Sequence, residues 1–411
     1  KNKMGLNEKH ALGRNQRFII QPQLSTQTYP AFTVPDSVAA RAPKQLTVLT
    51  SSMSYEQERK NRADTSQTRD YFERITGNKT VTWGCECHLL IPDQTSGAVN
   101  PDWTYMMSSA MGAANSSGSG PYTLTYSLTQ GQTNEYPMTL VRELNEVMSE
   151  SVWGAVAEEM TLSVAQGDEP KLSFTGTASD YAATATTTVN DLSLTPGDTV
   201  IQVTSAHTLS VNSVVKIGTE DGSDNTGFRI IAVDTTASTI TLDQGIGTDV
   251  SNGDAIIPFF DPDITTTSSS LINGISGQLD WGGTSDFEIN SFSLTVKNNF
   301  KPVQEAFKAS VQDYIPGRRD ITGEVVITGA KDKIMTLIYR YNFDSSNNIV
   351  ARFGSSSSGE EKMTVTIAKP EFDFSEVTVP EAEEVTINLP FTALATTDTA
   401  TDAVSIAITT N

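Results

Sequence analysis

Glu288-Ile-Asn-Ser-Phe-Ser-Leu-Thr-Val-Lys297 reads as a strand, followed by Asn298-Asn299-Phe300 and a short amphipathic segment over residues 303–314. A polar turn, Pro316-Gly-Arg-Arg-Asp320, leads into a second strand, Ile321-Thr-Gly-Glu-Val-Val-Ile327. The expected order is strand, Asn-Asn turn, one helix, Gly-Arg-Arg turn and strand. Such an order suits assembly and offers no obvious place for chemistry. The apolar face changes within the first strand: Phe287 and Ile289 share one side, and Phe292, Leu294 and Val296 take the other. A face change without a turn predicts a bulge near Asn290.

Working outward, Met160, Leu162 and Val164 alternate, Gln166-Gly167-Asp168 turns, and Leu172 and Phe174 alternate back, with Thr and Ser on the other face. This is a hairpin signature. A strand dense in β-formers runs from Val81 to Ile91, and Pro101-Asp102 opens a short helix through Trp103, Met106, Met107 and Ala110, stopped by Gly112. Tyr122, Leu124, Tyr126 and Leu128 alternate with hydroxyl residues, as a half-buried strand requires. Residues 138–148 are expected to be its partner. Further strands are expected over 334–342, 362–368, 385–391 and 404–408.

Residues 1–44 read as an extended N-terminal arm, because Pro22, Pro30, Pro35 and Pro43 each remove a backbone donor and disfavour helix. The run 55–74 is charged and reads as a solvated helix or loop. Residues 181–270 look foreign to the rest. Short strands at 200–203, 214–217, 228–233 and 239–242 lie between low-complexity linkers at 182–188 and 265–270, which predicts a small inserted β-barrel.

The 411 residues carry a net charge of −21, unevenly spread. Residues 1–74 hold 12 Lys/Arg against 7 Asp/Glu, and the remainder holds 16 against 42. A basic start on an acidic body favours attraction between copies and disfavours tight nucleic-acid binding, which needs Lys and Arg to release counterions. No stretch approaches the ~20 apolar residues of a membrane span. No apolar signal region is seen at the start, so a protein of a reducing cytosol is expected.

Motifs for chemistry fail on inspection. The three histidines, His10, His88 and His207, are scattered, and no Gly-x-Ser-x-Gly elbow occurs. Gly354-Ser-Ser-Ser-Ser-Gly359 has phosphate-loop spacing, yet Glu360-Glu361 stands where Lys and Ser/Thr must be. In a strand, Cys85 and Cys87 share one face and His88 the other, so buried structural cysteines are expected rather than metal ligands. Glu220-Asp221-Gly-Ser-Asp224-Asn225 misses the spacing of the twelve-residue calcium loop and reads as a solvated turn.

In order, these elements resemble the core of the tail tube proteins of long-tailed bacteriophages. The likeness rests on residues 288–327, Arg74-Ile-Thr-Gly77 with its following strand, residues 101–112, and the hairpin 160–174. The endings Val385-Thr-Ile-Asn-Leu-Pro-Phe391 and Val404-Ser-Ile-Ala-Ile408 have the same character. It spans residues 45–180 and 271–411; the arm and the insert depart from the minimal pattern. The resemblance implies a mainly β fold, a β-sandwich or partial barrel with one flanking α-helix. It further implies a structural protein without enzymatic activity or cofactor. Hexameric rings would stack into a negatively charged, non-contractile tube that passes double-stranded DNA without specific binding. Implied partners are further copies of the chain and tape measure, tail terminator and baseplate or tip proteins, in the virion tail and, during assembly, the host cytoplasm. The resemblance implies no membrane partner. On this reading Glu143, Glu146, Asp286, Glu288 and Glu324 are candidates to line the bore, and Arg14, Arg17, Arg41 and Lys44 to clasp a neighbouring ring. The alternative is a secreted or surface β-rich adhesin or carbohydrate-binding protein.

Overall fold

The computed structural model describes residues 16–23, 27–36, 41–61, 74–92, 100–118, 122–129, 137–144, 147–223, 226–272, 277–282, 289–328, 348–354, 362–372, 376–378, 385–398 and 400–410. The chain is mainly β, and one α-helix, Thr104–Ala110, occurs among the described residues.

The largest sheet bends around one long strand, Met148–Ala165. The first half of that strand pairs with Met138–Leu144 and Asp180–Ala185. Its second half lies between Lys171–Ala178 and Ile289–Lys297. From there the order runs on one side to Arg74–His88 and Thr50–Asn61, and on the other to Asp320–Thr328, Thr386–Leu394 and Lys369–Phe372. A second sheet, Gly277–Trp281, Ile349–Gly354, Lys362–Ile367, Val404–Thr410, Tyr122–Ser127 and Ala114–Ser117, packs against its inner face. Strict alternation produces this sandwich: Phe292, Leu294 and Val296 point inward, as do Val325, Ile327, Leu389 and Phe391. Across the gap the Phe292 and Phe353 rings lie 5.6 Å apart. Each fully buried side chain of this size contributes about 1.5–3 kcal/mol.

The bulge expected near Asn290 is present, since the register shifts between Ile289 and Ser291. The hairpin of residues 160–174 is present too, with Leu162 opposite Leu172 and Met160 opposite Phe174.

Five expectations need correcting, and the strand expected over 334–342 lies outside the described residues. The charged run 55–74 is not helix or loop as far as Asn61: Thr50–Asn61 pairs with Arg74–His88 as an edge strand. Residues 303–314 form no helix. Lys301–Val303 and Asp313–Ile315 pair as a short hairpin, with Val311 and Tyr314 buried against Val156 and Phe300. An isolated helix this short is marginal, and docking on the body decides the outcome.

The partner of Tyr122–Ser127 is not 138–148 but the distant Val404–Thr410. Sequence adjacency misled because 138–144 has its own hairpin partner.

The arm is partly built into the body. Gln16–Pro22 pairs with Met138–Leu144 on one side and Lys44–Leu46 on the other, and Phe18, Ile19 and Ile20 are buried.

Finally, 182–188 is not a free linker. Asp180–Ala185 is a strand of the large sheet, because Ala182 and Thr184 alternate inward. Thr267 is likewise tied down by the Asp102 carboxylate, at 2.9 Å from its amide.

Residues 187–258 form their own six-stranded sheet around Ile201, Ile217, Phe228, Ile230, Ile240 and Ile256. A Val189–Val203 bridge brings its first and last strands together and closes it on itself. A shared cluster of Ile19, Val141 and Trp153 with Val214, Phe260 and Ile264 seats it on the body.

Candidate functional site

Cross-strand partners point to the same side of a sheet, so the outer face of the large sheet can be read row by row. The central row runs Thr50, Glu86, Ser173, Thr161, Thr295, Thr322, Thr392, Glu371. One neighbouring row runs His88, Lys171, Ser163, Ser293, Glu324, Pro390. The other runs Ser52, Gly84, Thr175, Glu159, Lys297, Asp320. Eight strands wide, this face spans roughly 30 Å at the usual strand spacing.

No large apolar side chain lies in these rows. Thr161 and Thr295 hydroxyls bond to each other at 3.0 Å, and Lys297 stands 3.8 Å from Glu159. Glu86, Glu159, Asp320, Glu324 and Glu371 outnumber Lys171 and Lys297. β-branched Thr fits a pleated surface while keeping its hydroxyl in water. The result is a polar, weakly anionic wall.

Among the described residues, no strand pairs with the outer edge of Thr50–Asn61, nor with that of Lys369–Phe372 and Glu376–Thr378. The first edge carries exposed Glu56, Glu58, Arg59 and Lys60. Open edges invite pairing with another chain, and charges of this kind restrict which chain is accepted.

At one end of the wall the Asn-Asn and Gly-Arg-Arg turns meet. Asn298 is buried and donates through Nδ2 to the carbonyls of Ala110 (2.9 Å) and Ala157 (3.1 Å). Its Oδ1 accepts from Arg319 Nε at 2.8 Å. Asn299, at φ 52°, donates to the Arg318 carbonyl and the Asp320 carboxylate. These turns set the helix against the sheet.

Of the acids predicted for a lining, Glu324 stands half-buried in the wall. Glu143 does not: it is buried at 6% exposure and lies 3.4 Å from Arg17. Glu146, Asp286, Glu288 and Arg14 lie outside the described residues.

The remaining bases expected in an inter-ring clasp are engaged within the subunit. Arg17 also donates to the carbonyls of Asp261 (3.0 Å) and Ile264 (3.1 Å). Arg41 donates to the Gln23 carbonyl at 3.2 Å. Lys44 lies 3.9 Å from Asp102 and donates to Thr267 Oγ1 at 3.2 Å. Burial of the adjacent Phe18-Ile19-Ile20 run carries Arg17 into the fold.

Cys85 and Cys87 are buried and unlinked. Burial pushes the Cys87 thiol up to about 12 and raises Cys85 well above its ordinary value. His88 points away, toward Glu169 at 3.3 Å. Glu220 accepts from the amides of Gly247 (2.6 Å) and Asp249 (2.9 Å), a structural tie between loops of the inserted sheet. No group of three or more potential metal ligands occurs among the described residues.

The hydroxyl rows were half-legible: alternation of Thr and Ser opposite the apolar face is visible strand by strand, but their alignment across the sheet depends on register. No protein-family model matches the chain, and no curated protein matches it in sequence.

Proposed function

We propose that this chain is a structural subunit whose copies join through the margins of the large sheet into rings. Stacked rings would form a conduit of the phage tail-tube type, with the hydroxyl and carboxylate face turned to the bore. The observation that supports this most is the pairing of a polar wall about 30 Å wide with two edges that no strand pairs among the described residues. Closing a sheet on itself removes such edges.

The chemistry of the wall suits passage of a polyanion. Carboxylates repel phosphate over about a Debye length, ~8 Å at physiological salt. Hydroxyls hold a water layer and bring no charge that must exchange with counterions. A lysine-rich lining would bind DNA through counterion release and retard it. Glu324 is the predicted lining acid that this arrangement retains. Six-fold closure, a non-contractile tail and the neighbouring tape measure, terminator and tip proteins belong to the same proposal.

Negative-stain microscopy of the purified chain at rising concentration tests it. Rings with a central hole, or tubes, are the expected result. Monomers at every concentration overturn the proposal and favour an adhesin-like module.

A further inference from the structure

The wall is one four-strand pattern used twice. From one margin, Thr50–Asn61, Arg74–His88, Lys171–Ala178 and Met148–Ala165 lie in the chain order first, second, fourth, third. Ile289–Lys297, Asp320–Thr328, Thr386–Leu394 and Lys369–Phe372 then repeat that order. The repeat holds in direction, because every neighbouring pair is antiparallel and each strand therefore runs parallel to its counterpart four places along. It also holds in phase. In the central row Thr50 corresponds to Thr295 and Thr161 to Glu371, and two residues further along the chain Ser52 and Lys297 share the next row.

The two units are joined within the chain. Met148–Ala165, the third strand of the first unit, pairs antiparallel with Ile289–Lys297, the first strand of the second. Each outer margin is half of that same joint. Among the described residues, Thr50–Asn61 is a first strand with no third strand beside it, and Lys369–Phe372 a third strand with no first. Inside the joint the Thr161 and Thr295 hydroxyls bond at 3.0 Å, and Leu162 opposite Leu294 is fully buried, as is its partner. One residue before Thr50, the place of Leu294 is held by Leu49, which is 43% exposed. One residue after Glu371, the place of Leu162 is held by Phe372.

The geometry points to a second copy of this chain at each margin, joined in the internal register: Thr50 of one copy opposite Glu371 of the next, and Leu49 opposite Phe372. The eight strands alternate in direction, so the two margins meet antiparallel, as the internal joint does. The Glu371 carboxylate would accept from the Thr50 hydroxyl where Thr161 and Thr295 share a hydrogen bond inside the chain. The margins are different surfaces, so the joint is heterologous and makes a ring when its rotation closes. Each chain brings two units, so three copies complete a six-fold set, and the six-fold closure is one of units rather than of chains. Size agrees with this count. At a strand spacing of about 4.8 Å and a tilt of about 40°, three eight-stranded walls enclose a backbone barrel roughly 50 Å across, and six enclose roughly 95 Å. In the wider ring a centred duplex lies several Debye lengths of ~8 Å from the lining, and its carboxylates could not guide it. This deepens the ring reading and rests on it.

Native mass spectrometry of the unaltered chain and disulfide trapping test the joint together. Rings should contain three chains, and stacked rings multiples of three. Thr50→Cys with Glu371→Cys, oxidised after assembly, should give linked dimers and a closed trimer with nothing larger, since the native cysteines are buried. Ser54→Cys with Glu371→Cys, four residues out of register, should not link. Rings of six chains, or a ladder running past three, overturn the count and leave the ring reading standing. Rings in which the first pair stays unlinked, or links no better than the second, overturn the register in the same way. Monomers of the unaltered chain at every concentration overturn both.

Discussion

The Arg17 guanidinium lies 3.4 Å from the Glu143 carboxylate and donates to the Asp261 and Ile264 carbonyls, joining the first strand, the body and the segment leaving the inserted sheet. The acid is nearly buried, so the pair is shielded from salt. Replacing Arg17 by Met takes the guanidinium from a buried carboxylate and from the Asp261 and Ile264 carbonyls. It should destabilise the fold by about 3 kcal/mol, read from urea denaturation. A loss below about 0.5 kcal/mol, the scale of a surface substitution, would show that the pair is solvated.

Asn298 joins helix, sheet and turn with one side chain. Asn298→Ala removes both donors and leaves the Ala110 and Ala157 carbonyls and Arg319 Nε without it. The cost should be about 2–4 kcal/mol. Asn298→Asp should do no better, because a carboxylate cannot donate to carbonyls. Thermal unfolding of both variants checks this; rescue by Asp would contradict it.

Asp102 and Lys44 give opposite pH signatures. Burial raises the Asp102 carboxyl above its ordinary value, outweighing the Thr267 hydrogen bonds and the Lys44 charge. Between about 3.9 and that raised value the native chain holds more proton than the unfolded one. Asp102 therefore makes stability fall as pH rises through that window. Burial lowers Lys44, so stability rises with pH in the window just below about 10.4. Asp102→Asn keeps an acceptor for Thr267 and should abolish the acidic contribution. Identical acid-side slopes in both proteins would contradict the assignment.

The two thiols should report unfolding. Cys85 and Cys87 are buried in the sandwich, and burial holds both in the unreactive thiol form. Maleimide labelling of the native protein should be negligible at neutral pH and should rise with the denaturation curve. Fast labelling of the native chain would place this strand outside the core.

Alternation explains why much of the sandwich was legible. Wherever one face is core and the other water, as in residues 160–174 and 386–394, a two-residue period marks the strand. The helix at Thr104–Ala110 was equally visible from Pro101 and Gly112.

Legibility failed where partners are distant or faces are not distinct. Thr50–Asn61 is an exposed edge strand and reads as a charged loop. Residues 303–314 carry helical spacing, but contact with Val156 and Phe300 selects a hairpin. The lining candidates legible in sequence are acids, whereas ten of the twenty residues in the three rows of the outer face carry hydroxyls, brought together by register. Glu143 proved to be a buried partner of Arg17.

A reconstruction of assembled particles, resolved to side chains, tests the central claim most directly. Thr161, Thr295, Thr322 and Glu324 should line a continuous bore, with the Thr50–Asn61 edge of one copy beside the Lys369–Phe372 edge of the next. The same residues facing bulk solvent on the outside of the particle, or buried between subunits, would contradict the account.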